Sequence, residues 1–422
     1  MIKCIQILFL SLFYLQSFAS NELDLGTYIV KTNTGYELIR NGENYFVKGA
    51  GGYQYLNQLK DIGGNSIRTW GVDNAKQILD DAHKLGITVC LGLWVGHERH
   101  GFNYDDEYAV EGQLESFKKT INEFKDHPAL LMWAVGNEMD LFYKNFKVWN
   151  AVEDIAAMIK SIDKKHPVMT VTAGFDPAEA YLIKTSCPSI DVLGINTYGG
   201  ISALSKMIRQ SCWDKPYMVT EWGPFGHWES SKTTWESSIE LTSKEKAEVR
   251  NNAYSHILND SNLCLGSYCF LWGYKQEETP TWYGIFSKDG YATQSVDVLN
   301  GNWKNSNRNK APIIDEILLN QKTRYESVKI SKKDVCELST KIYDPEGDKL
   351  NYYFEVLPEN YQKVEGGDFQ KSLEKVNISI ISNENGNLKF KAPLKRGAYR
   401  IFVYADDGQK NVATANFPFY VK

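Results

Sequence analysis

The feature that most constrains the fold is a regular alternation of short apolar segments with longer helix-like segments. Eight segments predict strands: 46–49, 66–70, 88–93, 130–135, 168–172, 192–196, 217–220 and 266–271. Between them, residues 75–85, 110–124, 149–162 and 244–258 repeat apolar positions at the three- and four-residue spacing of amphipathic helices. Most of these segments are largely apolar and do not alternate with polar residues, which is typical of parallel strands covered on both faces. Eight such repeats over about 250 residues predict a closed (β/α)8 barrel, the TIM barrel.

An open, doubly wound sheet is the competing architecture for alternating strands and helices. It requires a glycine-rich turn for phosphate after its first strand. Lys48-Gly49-Ala50-Gly51-Gly52 is only a weak form of that turn, and a flexible exit from the strand explains it better. The closed barrel is therefore the expected fold, with bounds at residues 49–304.

Different patterns flank the predicted barrel. Residues 20–48 predict a β hairpin, because Asn41-Gly42 separates two alternating apolar segments. Residues 305–312 are polar and predict a linker, and residues 313–422 contain short alternating segments separated by turns, as in an immunoglobulin-like or cadherin-like β-sandwich. All 11 tryptophans lie between Trp70 and Trp303, and neither tryptophan nor histidine follows Trp303. Two unlike domains are expected.

The first 19 residues predict a signal peptide. Lys3 provides a positive charge, an apolar stretch follows, and Ser17-Phe18-Ala19 has the small-x-small pattern of a cleavage site. The apolar stretch is short for a membrane span. We therefore expect a secreted or periplasmic protein without a membrane span, in which disulfides are permitted although the cysteine spacing does not determine their pairing.

Charge and motif content limit the partners and cofactors. A net charge of −5 gives no electrostatic attraction for nucleic acid. His97 and His100 are spaced as metal ligands can be, but further histidine ligands on other strands are missing from the pattern. Asp344 to Asp348 resembles a calcium-linked cadherin-like turn, and a plain tight turn is the better interpretation. The sequence predicts no metal and no cofactor.

Two carboxylates follow strongly apolar strands. Glu138 ends the fourth predicted strand and Glu221 the seventh. Catalytic groups of such barrels sit at the carboxyl ends of the strands, so the two side chains should meet at one barrel mouth. One protonated and one ionised carboxyl group across a cleft provide what glycoside hydrolysis requires.

The order of these residues resembles the retaining glycoside hydrolases of clan A, over roughly residues 42–303. The resemblance implies that Glu138 is the general acid/base and Glu221 the nucleophile. It also implies substrate-binding or supporting roles for further strand-end residues, namely Asn137, Arg68, His97, Tyr198 and Trp272. Trp222 is a further candidate substrate contact, because it lies near the predicted barrel mouth, where flat aromatic rings stack on sugar faces. Arg68 and Tyr198 would stabilise the ionised nucleophile.

Within the clan, the architecture and the segment Thr220 to Pro224 resemble bacterial endo-β-1,3-glucanases of glycoside hydrolase family 158. The resemblance implies a monomer that acts on a polysaccharide or oligosaccharide. The alternatives are a mannanase, a family 2-like β-glycosidase, a β-1,3-glucanosyltransferase, and an inactive carbohydrate-binding barrel. Family 2 is disfavoured at this point because residues 20–48 leave no room for its large N-terminal sandwich.

Overall fold

A computed structural model describes residues 26–422 except Lys363 and Glu365. The predicted signal peptide, residues 1–19, lies outside the described residues. Within them, no helix combines the length and the apolar character needed to cross a membrane. The six cysteines of this part of the chain are all unpaired.

A small antiparallel sheet precedes the barrel. It consists of β1 (Thr27–Lys31), β2 (Tyr36–Arg40) and β3 (Glu43–Asn44). Asn41 and Gly42 form the β2–β3 turn with φ values of 50° and 84°, as the Asn-Gly pair predicted. Arg40 donates a 2.8 Å hydrogen bond to the Leu130 carbonyl at the start of a barrel strand. The sheet therefore covers the amino-terminal end of the barrel.

The barrel is closed and its strands are parallel. Its strands are β4 (Val47–Gly51), β5 (Ser66–Arg68), β6 (Thr88–Leu93), β7 (Leu130–Val135), β8 (Val168–Ala173), β9 (Val192–Asn196), β10 (Tyr217–Trp222) and β11 (Cys264–Cys269). They follow one another in chain order, and β11 pairs with β4 to close the sheet. The predicted TIM barrel is confirmed, and the open sheet is excluded.

Helices surround the barrel. They are α1 (Leu56–Asp61), α2 (Ala75–Lys84), α3 (Glu107–Phe124), α4 (Lys147–Ile162), α5 (Pro177–Ser186), α6 (Ile201–Gln210), α7 (Ser243–Asn259) and α8 (Gln294–Trp303). Local sequence fixes several starts: Thr242 and Glu245 form a capping box at α7, and Asp176 caps α5 ahead of Pro177. Each long helix buries an apolar face against the strands.

The C-terminal domain is a sandwich of two four-stranded sheets. Its strands are β12 (Ile313–Leu319), β13 (Lys329–Ile330), β14 (Val335–Tyr343), β15 (Asn351–Pro358), β16 (Ser379–Glu384), β17 (Asn387–Lys391), β18 (Gly397–Asp406) and β19 (Val412–Val421). One sheet has the order β12-β14-β17-β16 and the other β13-β19-β18-β15. Phe390, Ile401, Phe417 and Phe419 fill the space between them. The sequence missed β12 and β14.

The two domains share a buried network of charged side chains, which we call the interdomain joint: Glu240 and Lys246 of the barrel, and Glu359, Arg400 and Asn416 of the sandwich. Arg400 donates to both oxygens of Glu359 and, at 2.6 Å, to the barrel carbonyl of Ser238. Burial opposes ionisation of Glu240, yet Lys246 and Arg400 hold its pKa below the ordinary value. The sandwich is thus fixed to the barrel by hydrogen-bonded charged and polar groups shielded from water.

Replacing Arg400 by alanine is expected to lower the free energy of unfolding by about 3 kcal/mol, because Glu359 would stay buried without its counter-charge. Urea unfolding followed by tryptophan fluorescence measures the change. Arg396→Ala is the matched control, since Arg396 lies on the same domain but is exposed. Equal stability of the two variants would show that the joint contributes nothing.

Candidate active site

The carboxyl ends of the barrel strands gather most of the predicted site residues. Glu221 is the penultimate residue of β10 and is almost fully buried. Its Oε1 accepts hydrogen bonds from Arg68 at 3.0 Å and from the Trp70 indole at 2.7 Å, and its Oε2 accepts one from the Tyr198 hydroxyl at 3.1 Å. Three donors, one of them a cation, therefore surround this carboxylate and stabilise its charged form.

Arg68 connects the two predicted catalytic strands. Its side chain is 1% exposed, and its second terminal nitrogen donates at 2.7 Å to Oδ1 of Asn137. Asn137 directly precedes Glu138, so one guanidinium contacts Glu221 and holds the neighbour of Glu138. Planar guanidinium geometry suits this double contact, which a lysine ammonium would not reproduce.

Glu138 sits in a different environment. The Asn196 amide donates a 2.8 Å hydrogen bond to its carboxyl group, and Asn196 Oδ1 in turn accepts a 2.8 Å hydrogen bond from the Thr220 hydroxyl. Burial, followed by the negative charge of Glu221, raises the pKa of Glu138 to about 7. A carboxyl group that stays protonated near neutral pH can donate a proton to a leaving oxygen.

The backbone at Glu138 is also unusual. Glu138 has φ of 52° and Gly136 has φ of 74°. A left-handed conformation is unfavourable for glutamate, and such residues concentrate at sites where the side chain must be aimed. The Glu138 backbone N–H donates to the Val171 carbonyl of β8 at 2.8 Å, which holds this turn against the next strand.

His97 lies beside the acid/base turn. Its side chain is 2% exposed, and its ring lies near the backbone of Asn137, with its centroid 5.0 Å from the Trp94 ring. Burial, together with the positive charge of Arg99, lowers the pKa of His97 to about 4. The imidazole is therefore neutral at physiological pH. Its predicted contact with substrate stays a prediction.

Two predicted substrate contacts are corrected by the structure. Trp222 is fully buried and stacks on Tyr254 of α7, with ring centroids 5.7 Å apart, so it packs between strand and helix. Trp272 is 1% exposed and packs edge-on against Phe286 in the barrel's main core. Instead, Phe270 lies with Trp70, Tyr198, Trp282 and Tyr283 in an aromatic cluster next to the nucleophile.

Several functional neighbours were missed from sequence. Trp70 and Asn196 bind the two carboxylates directly, and both stand in strand-end segments that already contained Arg68 and Tyr198. Their position at the end of a barrel strand could have identified both as site residues. Asp368, which pairs with Arg99 and His100, comes from the sandwich and carries no such indication.

The histidines and acidic turn weighed as metal sites have other contacts. His100 Nε2 lies 3.1 Å from Asp368, while the His97 ring faces Asn137. Asp344 accepts hydrogen bonds from the backbone of Glu346 and Asp348, which forms a tight turn. Among the described residues, Asp344, Asp348 and Asp407 place one carboxylate oxygen each within 4.8 Å of one another.

Asn196→Ala is expected to shift the alkaline limb of the kcat/KM profile above its wild-type position near pH 7. The Asn196 hydrogen bond lowers the pKa of Glu138 by stabilising the carboxylate, so its loss raises that pKa. We also expect kcat/KM at the optimum to fall about tenfold, since a hydrogen bond to a charged group is removed. Rate measurements from pH 5 to 9 test this, with exposed Asn122→Ala as control. An unmoved or lowered limb would contradict the assignment.

Comparison with known proteins places the barrel among glycoside hydrolases. Residues 53–244 match the family model described as glycosyl hydrolases family 2, TIM barrel domain. A putative beta-glucuronidase of Formosa agariphila is 25% identical over 233 residues, which is 50% of this chain and 20% of the relative. The human beta-glucuronidase is 23% identical over 146 residues, 34% of this chain and 21% of the relative.

Solved structures show the same fold. A calcium binding mutant of Bacteroides uniformis beta-glucuronidase 2 superposes with a TM-score of 0.53 at 14% identity, over 94% of this chain and 48% of that one. The Ruminococcus gnavus beta-glucuronidase superposes with a TM-score of 0.51 at 16% identity, over 66% of this chain and 53% of that one. This chain spans about a fifth of the length of the curated relatives above. These matches favour the family 2-like alternative over the expected family 158 endo-β-1,3-glucanase, and the barrel of this chain is a TIM barrel of the glycoside hydrolase type.

Proposed function

We propose that this chain is a retaining β-glycosidase of the family 2-like type. The observation that carries the proposal is the contrast between the two carboxylates. Glu221 is held by a buried cation and two further donors, whereas burial raises the pKa of Glu138 to about 7. An ionised nucleophile next to a protonated acid is what double displacement requires.

The first step forms a covalent glycosyl-enzyme. Glu221 attacks the anomeric carbon while Glu138 donates its proton to the departing glycosidic oxygen. Arg68 and Asn137 hold the two reacting strands in register, and Tyr198 keeps one oxygen of Glu221 in place. Attack converts the Glu221 carboxylate into an ester.

The second step uses the same residues in opposite roles. Loss of the Glu221 charge removes one of the causes that raise the pKa of Glu138. Glu138 then ionises more easily and takes a proton from the incoming water, which releases the sugar with its original anomeric configuration. No step calls on a metal or cofactor.

The experiment is a substrate panel with analysis of the first product. Beta-glucuronides head the panel because the relatives carry that name, followed by aryl β-glucosides, β-galactosides, β-mannosides, laminarin, lichenan, cellulose and mannan. Proton NMR of the first-formed anomer distinguishes retention from inversion. Inversion would refute the mechanism, and binding of a glycan without any hydrolysis would favour the inactive carbohydrate-binding barrel. Export, proposed from residues 1–19, is tested by N-terminal sequencing of the mature protein.

A further inference from the structure

We propose that the sandwich domain supplies part of the substrate cleft. Residues 366–370, which we call the sandwich segment, combine with Trp94, Arg99 and His100 of the barrel to form a subsite for a leaving group that is itself a sugar ring. The inference rests on the proposed glycosidase function and adds to it the class of leaving group.

The sandwich segment lies on the barrel rim and is held at two places. Asp368 pairs with Arg99 at 3.3 Å and with His100 at 3.1 Å, in the loop after β6. On the other side, the Gly367 carbonyl accepts from Lys275 Nζ at 2.7 Å, in the loop after β11. Strands β4 and β5 separate β11 from β6 in the barrel. The segment therefore joins the loop after β6 to the loop after β11 at the barrel rim.

Two glycines allow the segment to lie directly on barrel cations. Gly366 and Gly367 have φ values of 54° and 72°. A Cβ on Gly366 would come within 2.6 Å of the Arg99 guanidinium, and one on Gly367 within 2.9 Å of Lys275 Nζ. Glycine adopts this backbone conformation without strain, and a side chain at either position would displace the end of a barrel cation. This close contact depends on the particular sequence of the segment.

The contact is on the acid/base side of the cleft. Trp94 follows β6 and Glu138 follows β7, and these strands pair in the barrel. The His97 ring lies between Trp94, with ring centroids 5.0 Å apart, and the backbone of Asn137, and the positive charge of Arg99 lowers the pKa of Glu138. Because Glu138 protonates the leaving oxygen, groups on its side contact the leaving group rather than the sugar attacked by Glu221.

The exposed groups of this subsite suit a sugar. Trp94 is 40% exposed, and its ring lies nearly parallel to that of His100, with 14° between the planes. An exposed indole face stacks on the C–H face of a sugar ring. The Asp368 side chain is 32% exposed and the His100 side chain 37%, so both can reach hydroxyl groups while paired with each other. Apolar and polar groups thus occur in the combination that sugars require.

The test compares two substrates with the same glycone. One is the shortest β-linked oligosaccharide that the wild type cleaves, and the other is the matching β-glycosyl fluoride, whose leaving group is too small to contact the subsite. For Asp368→Asn we expect the loss of kcat/KM on the oligosaccharide to exceed that on the fluoride by about tenfold, mainly through KM. Trp94→Ala should show the same selectivity, and Asp368→Glu should recover part of the loss.

Asp315→Asn is the matched control. Asp315 is also an acidic sandwich residue paired with a barrel lysine, Lys244, at 2.6 Å, and it belongs to no site described above. For Asp315→Asn, the ratio of kcat/KM on the oligosaccharide to kcat/KM on the fluoride should equal that of the wild type. Equal losses on both substrates in Asp368→Asn, or no loss on either, would overturn the inference alone. A wild type inactive on both substrates would overturn the proposed function and the inference with it.

Discussion

Glu221→Gln is expected to lower kcat on every cleaved β-glycoside by roughly 10⁴-fold, which corresponds to about 5.5 kcal/mol of transition-state stabilisation. Glutamine keeps the size of the side chain and its contacts with Trp70 and Tyr198, but its amide cannot form the glycosyl ester. The side chain is buried and accepts hydrogen bonds from Arg68, Trp70 and Tyr198, which fix its carboxylate in one position. Steady-state rates on the best panel substrate measure the effect.

The nucleophile role has a second, chemical test. In Glu221→Gly, added azide can enter the space of the lost carboxylate, attack directly and yield the α-glycosyl azide. Glu236→Gln is the control for the glutamine substitution, because Glu236 has a 79% exposed side chain. Residual activity of Glu221→Gln within tenfold of wild type would exclude Glu221 as the nucleophile.

Glu138→Ala is expected to reduce kcat/KM about 10³-fold on glycosides with a sugar leaving group, and far less on those with an acidic phenol. A poor leaving group needs protonation as the bond breaks, whereas an activated phenol departs without it. The alkaline limb near pH 7 should also disappear, because the group whose pKa lies there is gone. Brønsted plots across a series of aryl glycosides measure the dependence on leaving-group acidity, and pH profiles of kcat/KM measure the loss of the alkaline limb.

The control for this variant is Glu115→Ala, on the exposed face of α3. Azide should rescue Glu138→Ala with formation of the β-glycosyl azide, since it reacts with the glycosyl-enzyme where water normally does. Rescue to the α-azide instead would exchange the roles of the two glutamates. If the alkaline limb persists in Glu138→Ala, that limb belongs to the titration of another group.

The sequence predicted the barrel and its two carboxylates because both depend on local pattern. Apolar runs mark the strands, and the residue after each run is directed to the mouth by chain geometry alone. The same geometry explains the error at Trp222. Successive residues of a strand point to opposite faces, so Glu221 points into the barrel and Trp222 toward Tyr254 on α7.

Other contacts had no local pattern to reveal them. Trp272 lies beyond the end of β11, where the path of the chain rather than strand alternation sets side-chain direction. Strand β12 follows Pro312 without a turn sequence, and β14 alternates only over its first residues. Asp368 reaches the site across 269 residues of chain from Arg99, a separation at which neither spacing nor periodicity indicates contact.

The interdomain joint also limits how this chain can be engineered. Residues 305–312 resemble a spacer at which modules might be exchanged, but the barrel depends on partners beyond it. A substitute module would have to present a guanidinium to the Ser238 carbonyl and an amide to Glu240 from the same directions as Arg400 and Asn416. The unit of domain shuffling in this architecture is therefore the barrel together with its sandwich.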